Sequence, residues 1–162
     1  ILVLGGARSG KSARALALSD KPSTFLATGQ ALDAEMADRI ASHQAERGAD
    51  WALIEEPLEI APVIATHRDG TLVVDCLTLW LSNLMHHERD IAAETQRLTD
   101  AIRATTGRVV LVSNEVGHGI APINAMARAF RDHQGRINQT VAAAVGRVEL
   151  VVAGLPLTLK AP

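Results

Sequence analysis

Eight consecutive residues limit this chain more than any others. Gly5-Gly6-Ala7-Arg8-Ser9-Gly10-Lys11-Ser12 matches the pattern G-x-x-x-x-G-K-[ST] in full. Such a run works only when a strand feeds it and a helix follows it. Its glycines let backbone N–H groups turn inward around phosphate oxygens. Lys11 supplies a point charge to the β and γ oxygens of a nucleoside triphosphate, and the Ser12 hydroxyl is the expected Mg²⁺ ligand. The following helix offers its positive N-terminal end to the anion. Here the apolar run Ile1–Leu4 reads as the strand, and Lys11 to about Leu18 as the helix.

The rest of the chain continues the alternation. Thr24–Ala27 reads as a weaker strand. Leu72–Val74 and Val109–Val112 are continuous apolar runs, the mark of strands buried on both faces. Val148–Ala153 is interrupted only by Glu149. Leu155, Leu157 and Leu159 alternate, and Pro156 among them places a final strand at an edge. Between these lie helical patterns. One is expected from about Ala34 to Arg47, capped by Asp33. A second starts at Pro57 and is closed by Gly70. Leu77, Trp80, Leu81 and Leu84 share a helical face. Ile91, Leu98 and Ile102 mark another helix, ended by Gly107. Pro122–His133 and Arg136–Val145 read as two more, divided near Gly135. The expectation is one α/β domain over residues 1–162, with a mostly parallel sheet flanked by helices.

Composition removes several alternatives. Sixteen basic and eighteen acidic residues in 162 give a formal charge of −2, and no basic tract stands out, so a nucleic-acid footprint is not expected. With no Tyr, two Phe and two Trp, base stacking on a single strand is also disfavoured. Cys76 is the one cysteine, so neither a disulfide framework nor a thiolate metal cluster can form within the chain. His67, His86, His87, His118 and His133 lack metal-ligand spacing. No apolar run approaches the roughly 20 residues that span a bilayer. The opening Ile1–Leu4 is too short for a signal peptide, and a cytoplasmic location is the default expectation.

Three further groups could carry chemistry. Asp75 ends the run Leu72-Val73-Val74, where a second Mg²⁺ carboxylate belongs in a P-loop protein. The same residue also suits an N-cap for the helix that follows, and the two roles are compatible. Arg39, His43 and Arg47 are spaced i, i+4, i+8, with Trp51 and Glu55 continuing the four-residue interval. On a helix, two guanidinium groups could hold phosphate oxygens and keep the imidazole between them neutral and nucleophilic. An ordinary solvated helix face has the same spacing. The segment from Ser113 to Pro122 follows a buried strand, where active-site loops of α/β proteins lie. Asn114 and Glu115 are its candidate substrate-binding residues, with Glu115 able to bind metal or accept a proton. A third polar group, Arg131-Asp132, Gly135-Arg136 and Asn138-Gln139, fits a surface helix pair equally well.

Taken together, these motifs resemble one family. They are the Gly5–Ser12 loop, Ala27-Thr28-Gly29-Gln30, and Glu35-Met36-Ala37-Asp38-Arg39-Ile40. His43-x-x-x-Arg47-x-x-x-Trp51, Glu55 and Asp75-Cys76-Leu77-Thr78-Leu79-Trp80 follow. Asn114-Glu115-Val116-Gly117-x-Gly119-Ile120-x-Pro122 and Phe130-Arg131-Asp132-x-x-Gly135-Arg136-x-Asn138-Gln139 complete the set. The chain resembles the bifunctional adenosylcobinamide kinase/adenosylcobinamide-phosphate guanylyltransferases of cobalamin biosynthesis, over nearly its whole length. The resemblance implies a P-loop sheet of RecA-like order and two reactions. A nucleoside triphosphate, ATP or GTP, phosphorylates the aminopropanol hydroxyl of adenosylcobinamide. GTP then gives GMP to an enzyme histidine, and the GMP passes to adenosylcobinamide phosphate. By position, His43 is the implied nucleophile. Gly5 to Ser12, Thr28, Gly29, Gln30, Gln44, Ala45, Glu46, Arg47, Glu55 and Asp75 are the implied nucleotide contacts. Some relatives have two adjacent histidines where this chain has Ser42-His43. Homo-oligomers, trimers in particular, are also implied. A P-loop kinase of another alcohol, and a RecA-like ATPase module, are the competing readings. The near-neutral charge disfavours the latter.

Overall fold

The computed structural model describes residues 1–30 and 51–161. Its continuous apolar runs become central strands: β1 (Leu2–Gly5), β4 (Thr71–Asp75) and β5 (Arg108–Asn114). Around them lie β2 (Ser23–Ala27), β3 (Trp51–Glu55), β6 (Val148–Val152) and β7 (Leu155–Lys160). The described helices are α1 (Lys11–Ala17), α2 (Ile60–Thr66), α3 (Leu77–His86), α4 (Ile91–Ala104) and α5 (Ala125–Ala144). The strands form a seven-stranded sheet in the order β3-β2-β4-β5-β1-β6-β7. Neighbours run parallel except β6 and β7, which are antiparallel. β5 thus separates β1 from β4, as expected of a RecA-like sheet. Among the described residues, no helix is long and apolar enough to cross a membrane.

The pleat explains why the central strands are apolar throughout. Successive side chains go to opposite faces. Leu2, Leu72, Val74 and Leu111 pack in a cluster with residues of α2, α3, α4 and α5. Val3, Val73, Val110 and Val112 pack with Ala15 of α1 in a second cluster. The middles of β1, β4 and β5 are therefore apolar on both faces, which is the pattern of a covered parallel sheet. At the junction of α2 and α4, Arg89 and Arg97 bridge Glu59 and the buried Glu94.

Trp51 and Glu55, which the sequence assigns to no element, lie in a strand. They begin and end β3, in parallel register with β2, and the Trp51 ring meets Phe25 edge-on at 6.3 Å. Contrary to expectation, no helix begins at Pro57. The Glu56 carboxylate accepts from the N–H groups of Leu58 and Glu59, both at 2.9 Å, and α2 starts only at Ile60. Gly135 does not divide two helices either. It lies inside α5, where Gln134, Ile137, Asn138 and Val141 are buried on one face across it. Burying that face outweighs the glycine penalty of about 1 kcal/mol. α5 starts at Ala125 rather than Pro122 because Asn124 caps it, accepting from the N–H groups of Met126 and Ala127. The helix expected over 34–47 lies outside the described residues.

Glu149 interrupts the apolar run of β6 for a physical reason. It is 0 % exposed and takes a two-pronged contact from Arg14 of α1, at 2.7 and 3.0 Å. Arg147 donates to the same carboxylate. The Arg14 hydrogen bond above all holds this carboxyl below its ordinary value of 4.5. Its stabilisation is complete above that value and is lost as pH falls below it toward the folded pKa. Glu149→Gln should lower unfolding free energy by about 3 kcal/mol near pH 7. Urea titrations should show that deficit shrinking below about pH 4.5, the ordinary carboxylate value.

Candidate active site

The glycine loop is shaped by crowding behind it. A side chain on Gly5 would begin 2.3 Å from Ser9 Oγ and 2.8 Å from the Val151 carbonyl oxygen. Gly10 adopts a left-handed φ of 94° as it caps α1, and a Cβ there would meet Gly154 Cα at 3.2 Å. Gly154, in the β6–β7 turn, donates its N–H to the Ser9 carbonyl at 2.8 Å. A trans peptide sets its C=O and N–H in opposite directions. Fixing the Ser9 carbonyl toward the hairpin therefore turns the Gly10 N–H away from it. Lys11 Nζ donates to the Gly6 carbonyl at 3.2 Å, and Ser12 lies in the first turn of α1. Gly6, Ala7 and Arg8 are exposed.

Asp75 is half-buried at the carboxyl end of β4. Across the sheet it is level with Ala27 of β2, which is level in turn with Glu55 of β3. Gly5 is level with Asn114 on the neighbouring β5. The Gly5–Ser12 loop, Asn114, Asp75 and Glu55 thus lie along one edge, at the carboxyl ends of parallel strands, where α/β sheets bind ligands. The next residue after β2, Thr28, is fully buried. Its hydroxyl donates to the Cys76 carbonyl and accepts from the Cys76 N–H, each at 2.8 Å. Asn83 donates to the Thr28 and Pro57 carbonyls at 2.7 and 3.0 Å. Gly29 and Gln30 follow, half-buried. Burial, and next the Asp75 charge, push the Cys76 thiol up to about 11, so it stays a protonated core group.

With this edge described, one comparison decides the family. A family model described as cobinamide kinase / cobinamide phosphate guanyltransferase matches residues 1–159. The chain belongs to this family. It is 42% identical to the Bifunctional adenosylcobalamin biosynthesis protein CobP of Pseudomonas aeruginosa, over 98% of this chain and 96% of that one. It is 41% identical to the Bifunctional adenosylcobalamin biosynthesis protein CobU of Salmonella typhimurium, and 40% identical to that of Escherichia coli, over 99% of each chain.

In this member of the cobinamide kinase / cobinamide phosphate guanyltransferase family, Arg39, His43, Gln44, Ala45, Glu46 and Arg47 lie outside the described residues. The structure sets Gly5, Asn114 and Asp75 at the carboxyl ends of three adjacent strands, while Glu55 ends the outermost strand, four strands from Gly5. Glu115 donates its N–H to the Gly5 carbonyl at 3.1 Å, and its carboxylate accepts from the Gly117 N–H at 2.6 Å. Several supporting residues escape sequence reasoning. Thr78 accepts from the Asn114 N–H at 2.9 Å. Asn138, for which a surface helix pair is an equally good reading from sequence, forms a buried network with Ser113 and Gln134. The spacing of Gln134, Asn138 and Val141, i, i+4, i+7, is the signal that could have placed them on the covered face.

Thr28→Val keeps the side-chain shape but leaves the Cys76 N–H and carbonyl without the hydroxyl. The expected loss is about 1–3 kcal/mol of folding stability, measured by guanidinium denaturation. Stability within a few tenths of wild type would contradict the structural role given to this hydroxyl.

Proposed function

We propose that the chain phosphorylates the aminopropanol hydroxyl of adenosylcobinamide with ATP or GTP, then transfers GMP from GTP to adenosylcobinamide phosphate through a histidine intermediate. The observation that carries this reading is the shared edge of the Gly5–Ser12 loop and Asp75, in a member of a bifunctional kinase and guanyltransferase family. Phosphoryl transfer needs mainly positioning and charge neutralisation. Lys11 supplies fixed positive charge to the β and γ oxygens. The Ser12 hydroxyl and Asp75 carboxylate are hard oxygen donors of the type Mg²⁺ takes alongside phosphate oxygens and water. They would hold the ion, which neutralises charge on the phosphates when bound. Arg8, Gly29, Gln30 and Glu55 lie at or beside the same edge and complete the proposed nucleotide contacts, with Gln44, Ala45, Glu46 and Arg47 from the remaining motif, while the buried Thr28 serves them by holding the start of the Gly29–Gln30 segment. Residues 1–162 act as one cytoplasmic domain on this reading.

His43 carries the second reaction. Its ring nitrogen attacks the α-phosphorus of GTP, a nitrogen–phosphorus bond forms, and pyrophosphate leaves with the electron pair of the broken bond. A phosphate oxygen of adenosylcobinamide phosphate then displaces the histidine to give adenosylcobinamide-GDP. Incubation with Mg²⁺ and GTP labelled at the α-phosphate should put acid-labile, alkali-stable label on wild type and none on His43→Ala. An unlabelled wild type that still binds GTP would leave a P-loop kinase without a covalent step.

A homotrimer completes the proposal. Leu155, Leu157 and Leu159 on β7, with Val152 beside them on β6, give an exposed apolar strip at the sheet edge, and clustered apolar surface of this kind marks contact sites. Light scattering on the eluting protein should return three times the chain mass; a monomer mass would refute the assembly.

A further inference from the structure

Among the described residues Asn114 Oδ1 makes no hydrogen bond, yet the backbone of this residue is fixed from three directions. Its N–H donates to Thr78 Oγ1 of α3 at 2.9 Å, and its carbonyl accepts from Asn138 Nδ2 of α5 at 3.1 Å. The next N–H, of Glu115, donates to Gly5 of β1. Asn138 is itself held by Ser113 and Gln134, both 0 % exposed. The pleat divides the end of β5 between two tasks. Ser113 goes to the α5 face, while Asn114 shares the parity of Val110 and Val112, which pack with α1. Gly5 and Asp75 share that face by the same count, through Val3 and Val73. Asn114 Oδ1 is nonetheless buried and receives no hydrogen bond among the described residues. Buried acceptors are normally paired, so an unpaired one needs a reason, and a functional contact at this edge is one.

β5 separates β1 from β4 by one strand spacing, about 4.8 Å, on each side. Asn114 is level with Gly5 of β1 and two residues past the level of Asp75, which pairs with Val112. It ends the strand between the loop expected to cradle the phosphates and the carboxylate expected at the metal, the region in which a terminal phosphoryl group is expected. This step rests on the reading under Proposed function. We propose that Asn114 is a catalytic residue of the kinase half. Its amide oxygen accepts a hydrogen bond from the attacking hydroxyl, and its NH₂ donates to an oxygen of the γ-phosphoryl group. The hydroxyl oxygen uses a lone pair to form the bond to the γ-phosphorus. The bond from γ-phosphorus to the β–γ bridging oxygen breaks, its electron pair stays on the nucleoside diphosphate, and the hydroxyl proton passes to water. Asn114 orients the pair and takes no proton.

Asn114→Ala and the isosteric Asn114→Asp would be compared with wild type in the full chain, using adenosylcobinamide and γ-labelled triphosphate. Both should lose about 100-fold or more in kinase kcat, with nucleotide KM changed less than about threefold and GMP labelling of the chain retained. Asp keeps the shape but sets a negative charge against the phosphoryl oxygens, so it tests the site even where Ala unfolds. Kinase kcat within about threefold of wild type in either variant, or a parallel loss of nucleotide binding, overturns the assignment. A wild type unable to phosphorylate adenosylcobinamide overturns the kinase reading with it; an active wild type beside equally active variants overturns this inference alone.

Discussion

Burial of the central strands on both faces forces their side chains to be sorted by parity. Val73 goes toward α1 and Val74 toward the other helices, and neither choice can be exchanged without turning every residue of the strand over. Polar groups are therefore pushed to the strand ends, where the pleat still governs which way they face. Gly5, Asn114 and Asp75 come at the carboxyl termini of three adjacent strands and on the face that carries α1. The sheet that excludes water from its centre is what collects polar groups at its rim.

Several of the polar groups that enter the interior tie one element to another. Glu149 joins β6 to α1 through Arg14. Thr28 and Asn83 fasten the end of β2 to the start of α3. The Ser113, Gln134 and Asn138 group fixes the end of β5 to α5. An aliphatic substitute could fill the same volume, but it would not set the angle at which one element leaves another. Hydrogen bonds have direction and van der Waals contacts largely do not, so these interior polar groups hold the geometry of the edge.

Much of this was legible in the sequence because the strongest signals are local. The Gly5–Ser12 motif fixed a strand, a loop and a helix at once, and the runs at 72–74 and 109–112 could only be buried strands. β3 was hidden because Trp51 and Glu55 are four apart, an interval that a strand and a helix both allow when two residues share a face. α5 was read as two helices because Gly135 weakens local propensity, while the packing that carries the helix through it comes from distant residues. Asn138 suited a surface as well as an interior because polarity announces a need for partners without saying where they are. The fold edge could thus be placed from sequence, while the groups that orient it could not. The Arg39–His43–Arg47 stripe is legible only as a pattern, since it lies outside the described residues.

The turn between β6 and β7 is a two-residue reversal with Ala153 and Gly154 at positive φ. Tips of this sort are usually where a chain accepts extra residues or a grafted segment, since little depends on them. Here the tip leans on the glycine loop, with Gly154 gripping the Ser9 carbonyl. Lengthening it would withdraw the support that orients the Ser9–Gly10 peptide. The hairpin is therefore fixed in length as well as in conformation, and a position that looks like a free surface bend is part of the wall of the phosphate cradle.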